Sequence, residues 1–281
     1  MKKDEIAGNR LPLVSVILPA YNCANTISEA IDSIIEQTYS EWELIVCDDC
    51  STDTTYEILK KYKKELGEKM TLLQNEKNSK IAITLNRCLE YVHGEYIARM
   101  DGDDISITTR FEKQIAFLVE NPEYDLVGSQ MITFDEEGDK GIVLIGEKPD
   151  KYSLRYNTPF CHATIMMRKD VYGALNGYTV AKDIRRCEDV DLWFRFFYKG
   201  FQGYNLQEPL YKVRTREADY KRRTFSHSLE AAKVCYRGFK LLNYPIRYYA
   251  FLLKPIVSGL IPAFLMKKIH DYKEKMINYK E

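Results

Sequence analysis

Asp101-Gly102-Asp103-Asp104 follows directly on the strand-like run from Tyr96 to Met100. Three carboxylates within four residues repel one another, and a hard cation carrying phosphate oxygens on its far side is one of the few partners that relieves the cost. A second acidic group, Glu188-Asp189-Val190-Asp191, lies where a helical pattern begins. A carboxylate there is suited to taking a proton from a reacting hydroxyl. One cluster for a metal and another for a proton suggest an enzyme acting on a metal-bound phosphate compound.

Each group also has a purely structural reading. Acidic side chains in a first helical turn are favoured by the helix dipole, which alone would account for Glu188, Asp189 and Asp191. Asp191 falls on a different helical face from Asp189, and Leu192, Trp193, Phe196 and Phe197 form the side expected to be buried. Asn and Asp are ordinary turn residues. What a turn does not require is several carboxylates gathered at one rim.

The elements that must do the gathering alternate. Leu13 to Leu18 is an apolar β-rich run ended by Pro19, followed by a helix over Thr26 to Ile35 with Ile27, Ala30, Ile31, Ile34 and Ile35 on one face. Glu43 to Cys47 reads as a second strand, and Asp53 caps a helix holding Ile58, Leu59 and Tyr62. Met70 to Gln74 is a third strand, Ile81 to Tyr91 a helix, and Tyr96 to Met100 a fourth strand. Right-handed crossovers make this a twisted parallel sheet. Ligands bind outside the carboxyl ends of such strands. Tyr21-Asn22, Asp48-Asp49 and the Asp101 cluster all fall there.

Composition narrows the options. The 281 residues are 45% hydrophobic, enough to bury a sizeable core in one large domain or two small ones. Lys plus Arg equal Asp plus Glu at 41 each, so no overall basic field exists to hold a nucleic acid. Seven scattered cysteines fit a reducing compartment better than a disulfide framework. Cys47 and Cys50 form a C-x-x-C, but Asp48 and Asp49 between them would raise the thiol pKa, and no second pair completes a zinc site. No apolar stretch precedes Leu11, so a cytoplasmic location is expected.

The segments Val14 to Asn22, Ser33 to Tyr39, Asp48 to Asp53 and Gly94 to Asp104, in this order, resemble family 2 glycosyltransferases of the bacterial polysaccharide-biosynthesis type, with the GT-A fold. The resemblance covers about residues 11 to 215. It implies an α/β, Rossmann-like, mostly parallel twisted sheet flanked by helices. The activity implied is a metal-dependent, inverting transfer of sugar from a nucleotide diphosphate donor, UDP-linked by preference, to a hydroxyl of a glycan or lipid-linked saccharide. The implied cofactor is Mn or Mg. Pro19, Tyr21, Asn22 and Asp49 would frame the base, Asp49 accepting the imino hydrogen of uracil. Lys80 would approach the nucleotide, although the family often has Gly where this chain has Ser79. Asp103 would be the direct metal ligand, with Asp101 on the ribose side, Gly102 between them and Asp104 in support. Of the Glu188-Asp189 pair, Asp189 would be the general base.

On the acceptor side, His162 precedes a strand from Thr164 to Met167 and reads either as a satisfied loop or core group or, by the resemblance, as a residue near the acceptor; Asp191 joins it there. Arg110 either pairs with the metal-loop carboxylates or caps a helix from Phe111 to Val119 on the solvent side. Asp135 to Asp150 reads as an exposed turn or mobile loop. The expected catalytic domain spans 1–215, with a nucleotide-binding half over about 11–105 and an acceptor half over about 106–215. A helical extension over 216–281 follows, with helices from Phe225 to Leu242 and from Tyr248 to Ile269.

The uncharged run Pro255 to Met266 is too short and too interrupted by Pro and Gly to span a bilayer. With Arg247, Lys254, Lys267 and Lys268, the region of about 245–270 fits a membrane interface at the inner face of the cell membrane, or packing on the catalytic domain or a second subunit of a homodimer. Two other classes compete: a nucleotidyltransferase, for which the Gly-rich basic loop is missing at Pro19 to Asn22, and a non-catalytic nucleotide-sugar binding module, which would not need Glu188-Asp189.

Overall fold

The computed structural model describes residues 11–155, 158–184, 186–216 and 224–260. Four strands, β1 (Val14–Ala20), β2 (Trp42–Asp48), β3 (Met70–Gln74) and β4 (Tyr96–Arg99), lie parallel in the spatial order β3-β2-β1-β4. Helices α1 (Ile27–Ile35), α2 (Thr55–Leu66) and α3 (Ile81–Leu89) connect them. This is the alternation that the apolar periods predict.

The same sheet then continues with mixed polarity. Beyond β4 come β8 (Met166–Arg168), β6 (Leu126–Asp135), β9 (Gly203–Arg214) and β5 (Ile105–Ser106), with β7 (Gly138–Val143) paired to the second half of β6 on the same edge as β8. Helix α4 (Arg110–Glu120) follows β5, α5 (Lys169–Ala174) follows β8, and α6 (Glu188–Tyr198) precedes β9. Helices α7 (Phe225–Leu241) and α8 (Leu253–Leu260), joined through a 3₁₀ segment at Ile246–Leu252, complete the described chain.

Alternation along β1 sorts the core into two layers. Val14, Val16 and Leu18 face one side with α1 and α4, whereas Ile17 faces the other with α3, α5, α6 and α7. Both faces of the central strands are covered, which is why β1, β2 and β4 read as nearly continuous apolar runs. Gln37 joins α1 to the strand after the acidic loop: its Nε2 donates to Ser106 Oγ and the Ile107 carbonyl, and its Oε1 accepts from Phe111 N–H.

Several expectations need correction. Pro19 does not end β1; it sits inside it, opposite Cys47. Pairing with β4 stops at Ile17, so the missing N–H falls where β1 has a neighbour on one side only. Ile35 is exposed, at the end of α1 where the helix turns away from the core. The strand after His162 begins at Met166, because His162–Thr164 forms a 3₁₀ turn. Asp135 to Asp150 is not simply a loop but contains β7, paired antiparallel with β6.

Arg110 neither meets the acidic loop nor faces solvent. It is completely buried and donates to the carbonyls of Arg99, Ala163 and Ile165 and to Gln114 Oε1, tying β4 to the turn before β8. Burial lowers its pKa to about 10. Asp53 does cap α2, from one position further out than the first helical neighbour, accepting Thr55 N–H on Oδ1 and Ala24 N–H on Oδ2. The helix expected from Tyr248 to Ile269 begins as a 3₁₀ turn, with Pro255 in the first turn of α8, and its part beyond residue 260 lies outside the described residues.

Candidate active site

The carboxyl ends of β1, β2 and β4 open onto a cleft of about 920 Å³. Its wall takes in Pro19, Tyr21, Asn22, Asp49 and Lys80 on one side and Asp101, Gly102 and Asp103 on another. Thr179, Lys182 and Arg186 close it from the loop before α6, Glu188 from the first turn of α6, and Arg216 and His227 from beyond β9. Nine of the residues singled out in the sequence therefore meet around one space: Pro19, Tyr21, Asn22, Asp49, Lys80, Asp101, Gly102, Asp103 and Glu188.

The β1 and β2 loops are stitched together before any ligand arrives. Asn22 adopts a left-handed conformation, its Oδ1 accepting Thr52 N–H while its own N–H donates to Ser51 Oγ. Asp49 is 5% exposed; its Oδ1 accepts from Asn75 Nδ2 and Ser79 N–H, and its Oδ2 from Lys80 N–H at 2.9 Å. A carboxylate has about four lone-pair sites, so one direction on Oδ2 remains to receive a donor from the cleft. The unusual backbone that Ser79 suggested falls instead on Lys80, at φ 74° and ψ 163°, a region that strains any side chain. The bond to Asp49 Oδ2 helps to hold it there.

The acidic loop is held by residues more than a hundred positions downstream. Tyr211 Oη accepts Asp101 N–H at 3.1 Å, Arg214 N–H donates to Asp104 Oδ1 at 2.8 Å, and Arg214 Nε donates to the Asp103 carbonyl. Thr26 Oγ1 donates to the Gly102 carbonyl from the start of α1. A Cβ on Gly102 would come within 3.0 Å of Cys23 Sγ, which favours the glycine between the two aspartates. Asp104 is buried; burial, with Asp101 and Asp103 beside it, pushes its carboxyl well above the usual range.

Asp103 is 40% exposed in its side chain and lies 3.5 Å from the Arg216 guanidinium. Asp101 gives one oxygen to Arg99 at 2.6 Å. Among the described residues no three His, Cys, Asp or Glu side chains form a ready-made metal cage. Two cleft-facing carboxylates of hard oxygen donors fit a divalent cation that draws its remaining ligands from water and substrate phosphates.

Glu188 and Asp189 open α6. Glu188 lines the cleft, while Asp189 is half-buried beside it and accepts Val190 N–H on Oδ1. Burial raises both carboxyls above their ordinary range; Asp189 adds to the effect on Glu188, and Arg99 opposes it at both. Asp191 points away from this pair, bound to Thr179 Oγ1 at 2.6 Å and Arg195 Nε at 2.8 Å. Its role is to fasten α6 to the loop that precedes it. His162 also stands off the cleft wall, its Nε2 2.8 Å from Tyr178 Oη and its ring edge-on to Trp193. Burial, reinforced by Arg99, pushes this imidazole well below its ordinary pKa.

Arg99 is the residue that sequence reading passed over. Its guanidinium is almost wholly buried, and burial works against its charge, yet Asp101, with Tyr178 and Tyr211, outweighs that cost and holds the pKa above the ordinary value. Its field reaches Glu188, Asp189 and His162 together. The signal was a lone cation in a four-residue buried strand, immediately before three acids. Arg214 and Arg216 were equally silent, apart from their place at and just beyond the end of β9. The Cys47 and Cys50 thiols are free, the first buried and the second in a loop.

The profile of Glycosyl transferase family 2 matches residues 15–175. EpsE of Bacillus subtilis, a protein carrying a glycosyltransferase name, is 45% identical over 97% of this chain and 98% of its own length. WfaP of Escherichia coli, named as a UDP-Glc:alpha-D-GlcNAc-diphosphoundecaprenol beta-1,3-glucosyltransferase, is 32% identical over 72% of this chain and 78% of its own. Among solved structures, residues 1–349 of Staphylococcus aureus TarS with UDP-GlcNAc align over 88% of this chain and 71% of that one, at 21% identity and a TM-score of 0.68. The mannosyltransferase PcManGT of Pyrobaculum calidifontis, with GDP-Man and Mn2+, aligns over 92% of this chain and 79% of that one, at 20% identity and a TM-score of 0.62. These likenesses agree on the GT-A architecture. The chain belongs to glycosyl transferase family 2 and is a glycosyltransferase.

Proposed function

We propose that the protein moves a sugar from a UDP-linked donor to a hydroxyl of a lipid-linked saccharide, with inversion at the anomeric carbon, in the building of a surface polysaccharide. The observation that carries this reading is the single cleft into which Asp49, Asp101, Asp103 and Glu188 all converge. The free direction on Asp49 Oδ2 suits the imino N–H of uracil, and Tyr21, about half exposed at the rim, offers a face on which the base can stack. WfaP, by its name, uses UDP-Glc and a diphosphoundecaprenol-linked acceptor, and TarS binds UDP-GlcNAc.

Asp103 and Asp101 would hold a divalent cation, Mn2+ as in PcManGT or Mg2+, which when bound offsets the charge that grows on the departing diphosphate. Arg99 takes one oxygen of Asp101 and so fixes that carboxylate toward the cleft. We assign the general base to Asp189: its Oδ1 is committed to Val190 N–H, so Oδ2 is the oxygen that receives the acceptor's proton. Glu188, on the cleft wall, faces the bound sugar. Attack from the side opposite the leaving group gives inversion in one displacement.

Incubation of the protein with Mn2+ and, separately, UDP-, GDP- and dTDP-sugars tests the donor reading. Slow release of UDP from one UDP-sugar is expected, as water replaces the missing acceptor. Release of pyrophosphate, or turnover of GDP- or dTDP-sugars alone, would overturn the proposal.

A further inference from the structure

The chain is balanced at 41 cationic and 41 acidic residues, yet the 40 residues from Ala231 to His270 contain no Asp or Glu and seven Lys or Arg. Within the described part, Val234, Phe239, Leu242 and Tyr244 anchor this region to the protein. Facing outward are Ile246 at 83%, Leu253 at 60%, Val257 at 55% and Leu260 at 67% exposure. In α8, Leu253, Val257 and Leu260 stand at helical spacing on one face. Arg247 and Lys254 are exposed beside them. Among the described residues no helix is long and apolar enough to cross a membrane.

The helix that carries this face packs beside the cleft. Gly259 of α8 lies against Ser228 and Phe225 in the first turn of α7, and a Cβ there would collide with Ser228. From that same turn His227 lines the cleft wall, while Phe225 and Leu229 are exposed and add apolar surface nearby.

We propose that the face formed by Ile246, Leu253, Val257 and Leu260, with Arg247 and Lys254, docks on an anionic lipid surface and holds the mouth of the cleft at the bilayer. Apolar side chains enter the acyl boundary while flanking cations meet anionic headgroups. A second copy is the weaker occupant on charge: a two-fold interface sets each patch against itself, bringing Arg247 and Lys254 toward their own duplicates with no acidic residue between Ala231 and His270 to offset them. Docking deepens the lipid-linked acceptor reading, on which its use rests, but it is measurable with no acceptor present.

The experiment is co-sedimentation of the full chain with vesicles of phosphatidylcholine, with and without phosphatidylglycerol, across a salt series. Binding about tenfold or more stronger to the anionic vesicles is expected, declining as salt shortens the Debye length. Leu253→Glu combined with Val257→Glu should abolish most of that binding, by about tenfold or more, and leave UDP release from the donor in solution unchanged. Equal partitioning onto both vesicle types, or unaltered binding by the double variant, would overturn the proposal. So would a dimer in solution that the double variant dissociates, since that would give the face to a second copy. Vesicle binding without donor turnover by the wild type would sink the donor reading and leave docking standing.

Discussion

Asp189 and Glu188 share a helix start, a raised pKa and a neighbouring arginine, but they should fail differently when neutralised. Asp189→Asn is expected to lower kcat by on the order of a hundredfold or more with donor affinity nearly intact, the scale of a lost general base. Glu188→Gln should weaken donor or acceptor binding with a smaller change in kcat. Kinetics at varied donor and acceptor concentration separate the two, and the reverse pattern would transfer the base to Glu188. Because burial raises the Asp189 carboxyl, the wild-type kcat should fall with decreasing pH while the solution is still above the ordinary Asp range. Asp104 gives a stability test. Its folded pKa is raised, so its contribution to stability is fully present below the unfolded value near 3.8 and is lost as pH rises through the folded pKa. At neutral pH without metal, Asp104→Asn should therefore raise Tm by about 2–4 °C for each ~1 kcal/mol of relieved repulsion, and Asn Oδ1 can still accept Arg214 N–H. A lower Tm in calorimetry would contradict that account. The aspartates were legible from type and spacing. Arg99 was not, because its importance lies in reaching side chains some ninety positions away.

At the scale of elements, β1 to β4 and their helices were legible because each strand is buried on both faces and each crossover helix on one, so the apolar periods are unmixed. The second half obscures its strands. At Gly128-Ser129-Gln130 in the middle of β6, buried polar groups substitute for apolar ones: Ser129 N–H donates to Thr164 Oγ1, and Gln130 Nε2 to Gln207 Oε1. A shifted register against β9 adds to the irregularity. The placement of α6, and with it Glu188 and Asp189, depends on α7. Gly238 presses on the Phe194 ring so closely that no Cβ fits. Gly238→Ala should destabilise the protein by about 1–3 kcal/mol through overpacking and lower kcat more than it changes donor affinity, since α6 must shift to make room. Thermal denaturation and donor titration check both halves of that expectation; an unperturbed Tm would mean the two helices separate freely.

Across the whole molecule, donor and cation should act as structural glue. The cleft draws its wall from the β1, β2 and β4 loops, the loop before α6, and residues beyond β9, so a ligand that binds only the assembled cleft stabilises the fold. With UDP and Mn2+ near a hundred times their dissociation constants, the gain is about 2.7 kcal/mol, visible as a Tm increase of several degrees. EDTA should reverse most of it, and an increase indifferent to EDTA would separate nucleotide binding from metal. The overall α/β class was legible in the alternating apolar periods. The continuation into one mixed sheet was not, because pairing between strands far apart in sequence leaves no local trace.

The clamp on the acidic loop also dictates when the enzyme comes into being. Asp101 and Asp104 leave the ribosome 110 residues ahead of the groups that fix them, Tyr211 and Arg214. An unfinished chain can form the parallel strands and still lack a shaped cation site. Chains released before β9, or cut between α6 and β9, would thus lack the clamp and, on the proposed function, be unable to squander activated sugar.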